Sequence, residues 1–153
     1  MPRSSRSFLF PDVNVWIALT YGGHIHHNIA RAWFENVDME ARVCFCRFTQ
    51  LSLLRLLTTQ AVMGTDEVMT QAQAWQAFDR WLTDGRILFL EEPHNLDGLF
   101  RALSRALSRQ HYPNPKTWAD SYLAAFAGAA DLRLVTFDRG FEGKIKQILI
   151  LRP

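Results

Sequence analysis

The sequence predicts an α/β protein with a mainly parallel central sheet of about five strands. Short apolar stretches that suit buried strands alternate with longer segments in which apolar residues recur at helical spacing. The stretch ARVCFC is apolar on both faces, as is typical of a parallel strand covered by helices on both sides. Since no Gly-rich linker or internal repeat divides the chain, we expect residues 1–153 to form a single domain.

Composition and charge set limits on function. The chain has 153 residues, of which 48% are hydrophobic and 12% aromatic, and this composition indicates an ordered globular protein. The formal net charge is only +2. Attraction to nucleic acid must therefore come from a local basic patch and not from overall charge.

The cysteines and the lack of long apolar runs predict a cytoplasmic protein. Cys44 and Cys46 are two residues apart on a predicted strand, where both point to one face and cannot easily close a disulfide. We expect both to be small buried hydrophobes in a reducing compartment. No run approaches the roughly 18–20 apolar residues of a membrane span, so we expect no membrane association.

The first half of the chain predicts two strands and several helices in alternation. SFLF predicts a strand, and VWIAL after Pro11 and Asp12 begins a helix. HHNIARAWFENV predicts a short helix, and ARVCFC is the second strand. RFTQLSLLRLLT predicts an apolar helix with Thr49 as its N-cap.

The second half continues the alternation. Thr65, followed by Asp66 and Glu67, predicts the start of a long helix that ends at Gly85 and buries Trp75 and Leu82 among other apolar residues. RILFLEEP predicts a strand and NLDGLFRALSRALSRQ an amphipathic helix. TWADSYLAAFAGAA predicts a small-residue helix, RLVTF a strand, and ILIL an edge strand.

Three aspartates are predicted to meet at one edge of the sheet. Asp12 and Asp138 each stand where an apolar strand stops. Asp120 lies near the start of the helix that precedes the second of these strands. Because that helix runs antiparallel to the strand, its N-terminal end returns to the edge where Asp138 emerges. In open α/β sheets, ligands bind at the carboxyl ends of strands, where the strand order reverses.

A shared divalent cation would explain this arrangement. Close carboxylates repel and raise one another's pKa, so their grouping is costly unless a cation compensates. Mg²⁺, or alternatively Mn²⁺, is a natural partner for an all-oxygen site and can bind phosphate at the same time. Such an ion can activate water and stabilise charge on a phosphoryl oxygen. Each acid taken singly could instead be an ordinary cap or turn residue.

Together these motifs resemble those of PIN-domain ribonucleases. DVNVWIAL, TWADSYLAAFA and LVTFDRGF match the acidic motifs in their usual order, and the chain is most similar to the VapC toxins of bacterial toxin–antitoxin pairs. The resemblance spans nearly the whole chain. It implies a PIN-like α/β/α sandwich with Mg²⁺-dependent endoribonuclease activity, often on structured RNA such as tRNA. It also implies a homodimer and a cognate VapB-like antitoxin.

Carried over residue by residue, the resemblance assigns the metal site to Asp12, Asp120 and Asp138. The chain departs from the family in one respect. PIN domains usually have a glutamate in the helix after the second strand, whereas TQLSLLRLL contains no acid and has Ser52 near the expected place. A branch of VapC-like proteins is similar in this segment. Arg55 nearby could pair with an acid or contact the scissile phosphate through its planar guanidinium.

Two polar residues close to the aspartates are candidates for supporting roles. Asn14 could hydrogen-bond a metal-bound water or the Asp12 carboxylate, or it could make a local turn bond. Thr136 could orient a carboxylate or water through its hydroxyl, or it could be a plain β-branched core residue.

Basic and aromatic residues suggest a weaker RNA-binding surface. Arg101, Arg105 and Arg109 recur every four residues, so they could track phosphates, although such a stripe is more often a solvated helix face. Trp118 could stack on a base, although we expect it to pack in the core.

Two other functions remain open from the sequence. The missing glutamate is compatible with a degenerate PIN module that binds RNA or a partner without cutting. A small phosphatase could use Asp12 as nucleophile and Asp138 to hold Mg²⁺. Phosphatases that resemble haloacid dehalogenases have a second aspartate two residues after the first, where this chain has Asn14.

Overall fold

The fold is built on five parallel strands, which pair in the order β3-β2-β1-β4-β5. The structure is a computed structural model that describes residues 7–107 and 113–153. The strands are β1 Phe8–Pro11, β2 Arg42–Cys46, β3 Ile87–Leu90, β4 Arg133–Thr136 and β5 Ile148–Ile150. The predicted parallel sheet of about five strands is confirmed, and ILIL forms the predicted edge strand.

Seven α-helices connect and cover the strands in the described part of the chain. They are α1 Val13–Thr20, α2 His27–Glu35, α3 Arg47–Leu57, α4 Gln60–Met63, α5 Gln71–Leu82, α6 Leu96–Leu107 and α7 Lys116–Ala129. A 3₁₀ turn, Arg139–Phe141, follows β4. Within the described residues, we find no helix with both the length and the hydropathy needed to cross a membrane.

The sheet separates two hydrophobic cores, as expected for an α/β/α sandwich. Strand residues alternate between the cores because successive side chains point to opposite faces. Leu9 and Val43 pack with helices α1 to α5 on one face, whereas Phe10 and Cys44 pack with α6 and α7 on the other. Cys44 and Cys46 are free and buried, as predicted.

The strand order reverses between β1 and β4. From β1 the chain moves through β2 to β3 on one side, then returns to place β4 against the opposite side of β1. Pro11 pairs with Val135 in the register between β1 and β4. The residues that follow these two strands therefore meet at the switch point, where open α/β sheets bind ligands.

Two helices start at other residues than predicted, α3 earlier and α5 later. Cys46 is the N-cap of α3, and Thr49 is its third helical residue, whose hydroxyl accepts a hydrogen bond from Cys46 N at 3.0 Å. Helix α5 begins after Thr70 and not at Thr65. A capping box joins Thr70 and Gln73, and each side chain accepts a hydrogen bond from the other's backbone N–H.

The buried face of α5 also differs from prediction. Trp75 and Leu82 were expected in the core, but they are 47% and 46% exposed. Ala74, Ala77 and Phe78 face the core instead. Small residues at the contact let α5 approach its neighbours, and the two larger side chains are left on the surface.

Candidate active site

Asp12 joins the end of β1 to the start of α1. As the N-cap of α1, its Oδ1 accepts a hydrogen bond from Val13 N at 2.6 Å. Its Oδ2 accepts one from the Thr136 hydroxyl at 2.9 Å, and its backbone N–H donates to Val135 O at 2.8 Å. These bonds fix the side chain at the switch point. The residue is largely buried there, at 7% exposure.

The position of Asp12 makes its negative charge costly. Burial raises the pKa of its carboxyl to about 6, with smaller increases from the charges of Asp120 and Asp138. The hydrogen bonds from Thr136 and Val13 oppose this increase. A nearby cation would stabilise the ionised form of such a buried carboxylate, and perturbed pKa values of this kind are common at functional sites.

Thr136 connects the polar groups around Asp12. Its hydroxyl oxygen accepts hydrogen bonds from Asp138 N at 3.0 Å and from Asn14 Nδ2 at 3.2 Å, while its proton is directed to Asp12. Asn14 Oδ1 accepts from Phe137 N at 3.3 Å. The Asn14 side chain thus bonds to the end of β4 and not directly to Asp12, and a local turn bond is not its role.

Asp138 lies in the turn after β4 and is half-buried. It caps the 3₁₀ turn, where its Oδ1 accepts a hydrogen bond from Gly140 N at 2.8 Å. A Cβ on residue 140 would lie only 2.9 Å from Asp138 Oδ1, so glycine permits this close approach. The turn therefore fixes the Asp138 carboxylate near the end of the strand.

Asp120 is the fifth residue of α7 and is half-buried. Burial raises the pKa of its carboxyl, and the charge of Asp138 raises it further, while Lys116 and Lys144 lower it. Asp120 lines a cleft of about 160 Å³ together with Lys116, Gly140 and Lys144. The N-terminal part of α7 therefore faces the turn that carries Asp138, as the antiparallel packing of helix and strand predicts.

The three aspartates share an edge of the sheet but do not form a closed cage. Within residues 7–107 and 113–153, no three His, Cys, Asp or Glu side chains lie close enough to hold one ion together. Mg²⁺ usually keeps several waters and is held by only one or two carboxylates, so it does not require such a cage. The donor chemistry fits this ion because all three acids supply oxygen and their charges interact.

Ser52 and Arg55, the other supporting candidates, lie on α3. Ser52 is half-buried and Arg55 is exposed. Among the described residues, neither side chain makes a hydrogen bond, and Arg55 forms no ion pair. The expected pairing of Arg55 with an acid is absent from this part of the structure, and its contact with RNA remains a prediction.

The residues predicted to bind RNA differ in whether their charges are paired and in whether the structure describes them. Arg101 is exposed and forms an ion pair with Asp97 at 2.8 Å, so part of its charge is compensated. Arg105 is exposed, and Arg109 lies outside the described residues. Trp118 is 61% exposed, so the expectation that it packs in the core is wrong. Its ring lies 6.2 Å from that of Phe100, near the rim of a surface cavity that Arg105 also lines.

The lysines beside Asp120 were not predicted as site residues. Lys116 lies one helical turn before Asp120, and Lys144 follows the 3₁₀ turn by three residues. The i, i+4 spacing of Lys116 and Asp120 is visible in the sequence and places both on one helix face. The approach of Lys144 depends on the turn that follows β4, so the sequence pattern gave no comparable signal.

Comparison with known proteins identifies the family. Residues 9–145 match the family model described as PIN domain. Ribonuclease VapC41 of Mycobacterium tuberculosis is 42% identical over 136 residues, which cover 87% of this chain and 90% of that protein.

Solved structures show the same fold at lower identity. VapC20 of Mycobacterium tuberculosis, described as a sarcin-ricin loop cleaving toxin, superposes with a TM-score of 0.63 at 16% identity and covers 95% of this chain and 99% of its own. VapBC-1 from nontypeable Haemophilus influenzae gives a TM-score of 0.65 at 16% identity and covers 94% and 97%. The match to the family model and the 42% identity to VapC41 show that the chain belongs to the PIN domain family and, within it, to the VapC ribonucleases.

Proposed function

We propose that this protein is a Mg²⁺-dependent endoribonuclease that acts as the toxin of a toxin–antitoxin pair. Its family makes it an endoribonuclease. The placement of the three aspartates supports the proposed site. Asp12 and Asp138 follow adjacent strands at the switch point, and Asp120 approaches them from α7 closely enough for the three charges to interact.

The cation would lie among the three aspartates, held directly by one or two of their carboxylates and through its remaining waters by the other. When bound, Mg²⁺ would lower the pKa of an attacking water and stabilise negative charge on the phosphoryl oxygens. Mn²⁺ has similar ligand preferences and is a suitable substitute. The raised pKa of Asp12 supports its role as a ligand, since a cation would relieve the repulsion that its neighbours contribute.

Thr136 and Asn14 would act as positioning residues. The Thr136 hydroxyl holds Asp12 Oδ2 in place, and the same oxygen fixes the backbone of Asp138. Asn14 bonds to Thr136 and to Phe137 N, so it ties the start of α1 to the end of β4. Together they would preserve the geometry between two metal ligands on different strands.

The RNA would lie across the edge that carries the aspartates. Arg55, Arg105 and Trp118 are exposed and available for contacts with phosphates or bases. Arg101 would contribute less because it is paired with Asp97. A structured RNA such as tRNA is the substrate class that we propose. VapC20, which has the same fold, is described as a sarcin-ricin loop cleaving toxin.

A VapB-like antitoxin is the proposed partner, and the toxin would form a homodimer in the cytoplasm. Solved proteins of this fold include VapBC complexes from Haemophilus influenzae and, bound to DNA, from Salmonella typhimurium. Large apolar side chains remain exposed on the helices of one face in this chain. They include Leu51 at 62%, Trp75 at 47% and Leu82 at 46% exposure. Such side chains suit burial against a partner.

Cleavage of purified total tRNA tests the proposal. Wild-type protein should give discrete fragments with Mg²⁺ and none with EDTA. Asp138→Asn, which keeps the side-chain shape but removes the charge, should cleave at least about 100-fold more slowly. Arg133→Gln is a matched control, because Arg133 is exposed at the opposite end of β4. Cleavage that survives EDTA or Asp138→Asn would contradict the metal mechanism.

The absence of an acid from α3 favours one alternative, a PIN module that binds RNA without cutting it. Gln50, a buried residue of α3, accepts a hydrogen bond from Arg47 and brings no charge to the site. Retained RNA binding without metal-dependent cleavage, in well-folded protein tested on tRNA and ribosomal RNA, would favour this alternative. The phosphatase hypothesis loses support because the Asn14 side chain is already bonded to Thr136 and Phe137.

A further inference from the structure

The cleft beside Asp120 is basic as well as acidic. Lys116 and Lys144 come from separate elements, the start of α7 and the segment after the 3₁₀ turn, and both line this cleft of about 160 Å³. Both lower the pKa of Asp120, so their ammonium groups lie within electrostatic reach of its carboxylate. The cleft therefore contains two positive charges and one negative charge.

Neither lysine is neutralised in an ion pair within the described residues. All four ion pairs there use arginine. Lys116 and Asp120 have the i, i+4 spacing of a helical ion pair, but with the base on the N-terminal side, which is the less favourable order. The two ammonium groups are thus available to an anion.

Helix stability does not explain Lys116. It is the first residue of α7, a helix of 14 residues. The N-terminus of a helix is its positive end, where cations are disfavoured and anions are stabilised. A lysine at this position adds to the positive field of the helix instead of opposing it. An anionic ligand would benefit from both.

The turn before Lys144 directs it toward α7. Gly143 has φ of +76°, in the left-handed region that favours glycine. The backbone N–H of Lys144 then donates to Phe141 O at 3.1 Å. The position of Lys144 is therefore set by a defined turn and not by an extended surface segment.

We infer that Lys116 and Lys144 form a subsite for a backbone phosphate of the RNA strand, next to the position of cleavage. The inference rests on the proposed function, because the acids mark where cleavage occurs. Carboxylates alone repel a polyanion, whereas a pair of lysines beside them attracts the strand and holds a neighbouring phosphate. The subsite reads no base, so it serves affinity and alignment and not sequence choice.

Salt-dependent binding of a fluorescent single-stranded oligoribonucleotide tests this inference. The full chain is used with Asp138→Asn to prevent cleavage and with EDTA to remove any effect of metal. Each phosphate contact to a single strand contributes about 0.7 to the slope of log affinity against log salt. Lys116→Gln and Lys144→Gln should each weaken binding several-fold and reduce that slope by about 0.7. Lys144→Arg should retain the slope because it retains the charge.

Lys146→Gln is the matched control. It is the third lysine of the chain, and it lines a neighbouring cavity and not the Asp120 cleft. It should leave the slope unchanged. A thermal melt separates binding from folding, because Lys116→Gln removes a cation from the positive end of α7 and should not lower the melting temperature.

Two results would overturn the inference. One is an unchanged slope in both Lys116→Gln and Lys144→Gln, and the other is an equal reduction in Lys146→Gln. Parallel cleavage assays with the unmodified active site separate this inference from the proposed function. If cleavage needs metal but binding does not depend on the lysines, only the phosphate subsite is contradicted. If binding depends on the lysines but no cleavage occurs, only the proposed hydrolysis is contradicted.

Discussion

The Thr136 hydroxyl donates a hydrogen bond to Asp12 Oδ2 at 2.9 Å and links two residues that are 124 positions apart in the chain. Thr136 ends β4, and Asp12 follows β1, its neighbour in the sheet. The same hydroxyl oxygen accepts from the backbone N–H of Asp138. One buried side chain thus sets the positions of two proposed metal ligands.

Replacement of Thr136 by valine should impair both stability and activity. Valine keeps the β-branched shape but leaves Asp12 Oδ2 and the donors on Asn14 and Asp138 without this partner. A buried polar group that loses its partner costs about 1–3 kcal/mol, and we expect a loss of that size in urea unfolding. RNA cleavage per folded molecule should also fall, because Asp12 is no longer held.

Thr136→Ser is the control for this prediction. Serine retains the hydroxyl, so it should recover most of the cleavage even though the loss of a buried methyl group costs about 1 kcal/mol of stability. If valine and serine reduced cleavage equally, packing and not the hydrogen bond would be responsible.

Asp12→Asn should stabilise the metal-free protein at neutral pH. The folded-state pKa of Asp12 is about 6, above its ordinary value of 3.8. The folded protein therefore binds this proton more tightly, and the stabilisation present below pH 3.8 is lost as pH rises through 6. The loss amounts to roughly 3 kcal/mol at pH 7.

Asparagine removes this loss and can still cap α1, but it weakens the bond with Thr136, for a net gain of about 1–2 kcal/mol. Urea unfolding in EDTA at pH 4.5 and 7.5 should show the stability of wild-type protein falling relative to Asp12→Asn as pH rises. A constant difference between the two proteins would mean that the pKa of Asp12 is not raised.

Metal affinity should depend on pH through the same carboxyl. A carboxylate must lose its proton to bind a cation, and Asp12 holds its proton up to about pH 6 in the metal-free protein. Mn²⁺ titration by calorimetry should therefore show binding about tenfold weaker at pH 5 than at pH 7. Equal affinities at the two pH values would argue against Asp12 as a ligand.

Arg86 should matter for stability but not for catalysis. It lies before β3, at the edge of the sheet opposite the aspartates, and is 8% exposed. Its guanidinium pairs with Asp84 at 2.9 Å, donates to the carbonyls of Phe34 and Val37, and stacks over the Phe34 ring at 4.1 Å. Arg86→Met leaves these groups without their partner and should cost about 3 kcal/mol.

The exposed Arg31 and Glu35 pair provides a matched control for Arg86. These side chains are 67% and 59% exposed, so Arg31→Met should change stability by less than about 1 kcal/mol. Both variants should cleave RNA at the wild-type rate per folded molecule. A large effect of Arg86→Met on that rate would mean that the two edges of the sheet are coupled.

The fold could be predicted from the sequence because its strands bury side chains on both faces of the sheet. After their arginines, ARVCFC and RLVTF are apolar on both faces except for Thr136, and this pattern distinguishes buried parallel strands from half-exposed ones. The edge location of Asp12 and Asp138 followed from the point at which each apolar run stops. Asp120 followed from the direction of the helix that contains it.

Features that depend on tertiary contacts were less predictable. Acidic residues after Thr65 resembled a helix start, but the capping box of Thr70 and Gln73 makes two reciprocal bonds and fixes the start later. The exposure of Trp118 depends on how α7 packs against α6, which periodicity does not reveal. The approach of Lys144 to Asp120 depends on a turn after β4.

Mn²⁺ binding to single-aspartate variants shows most directly whether Asp12, Asp120 and Asp138 form one metal site. Calorimetry at pH 7.5 on wild-type protein and on Asp12→Asn, Asp120→Asn and Asp138→Asn should show a loss of about tenfold or more in affinity for each variant. Asp97→Asn, which changes an exposed acid of α6, should bind as the wild type does. Wild-type affinity in any of the three site variants would contradict a shared site and remove that aspartate from it.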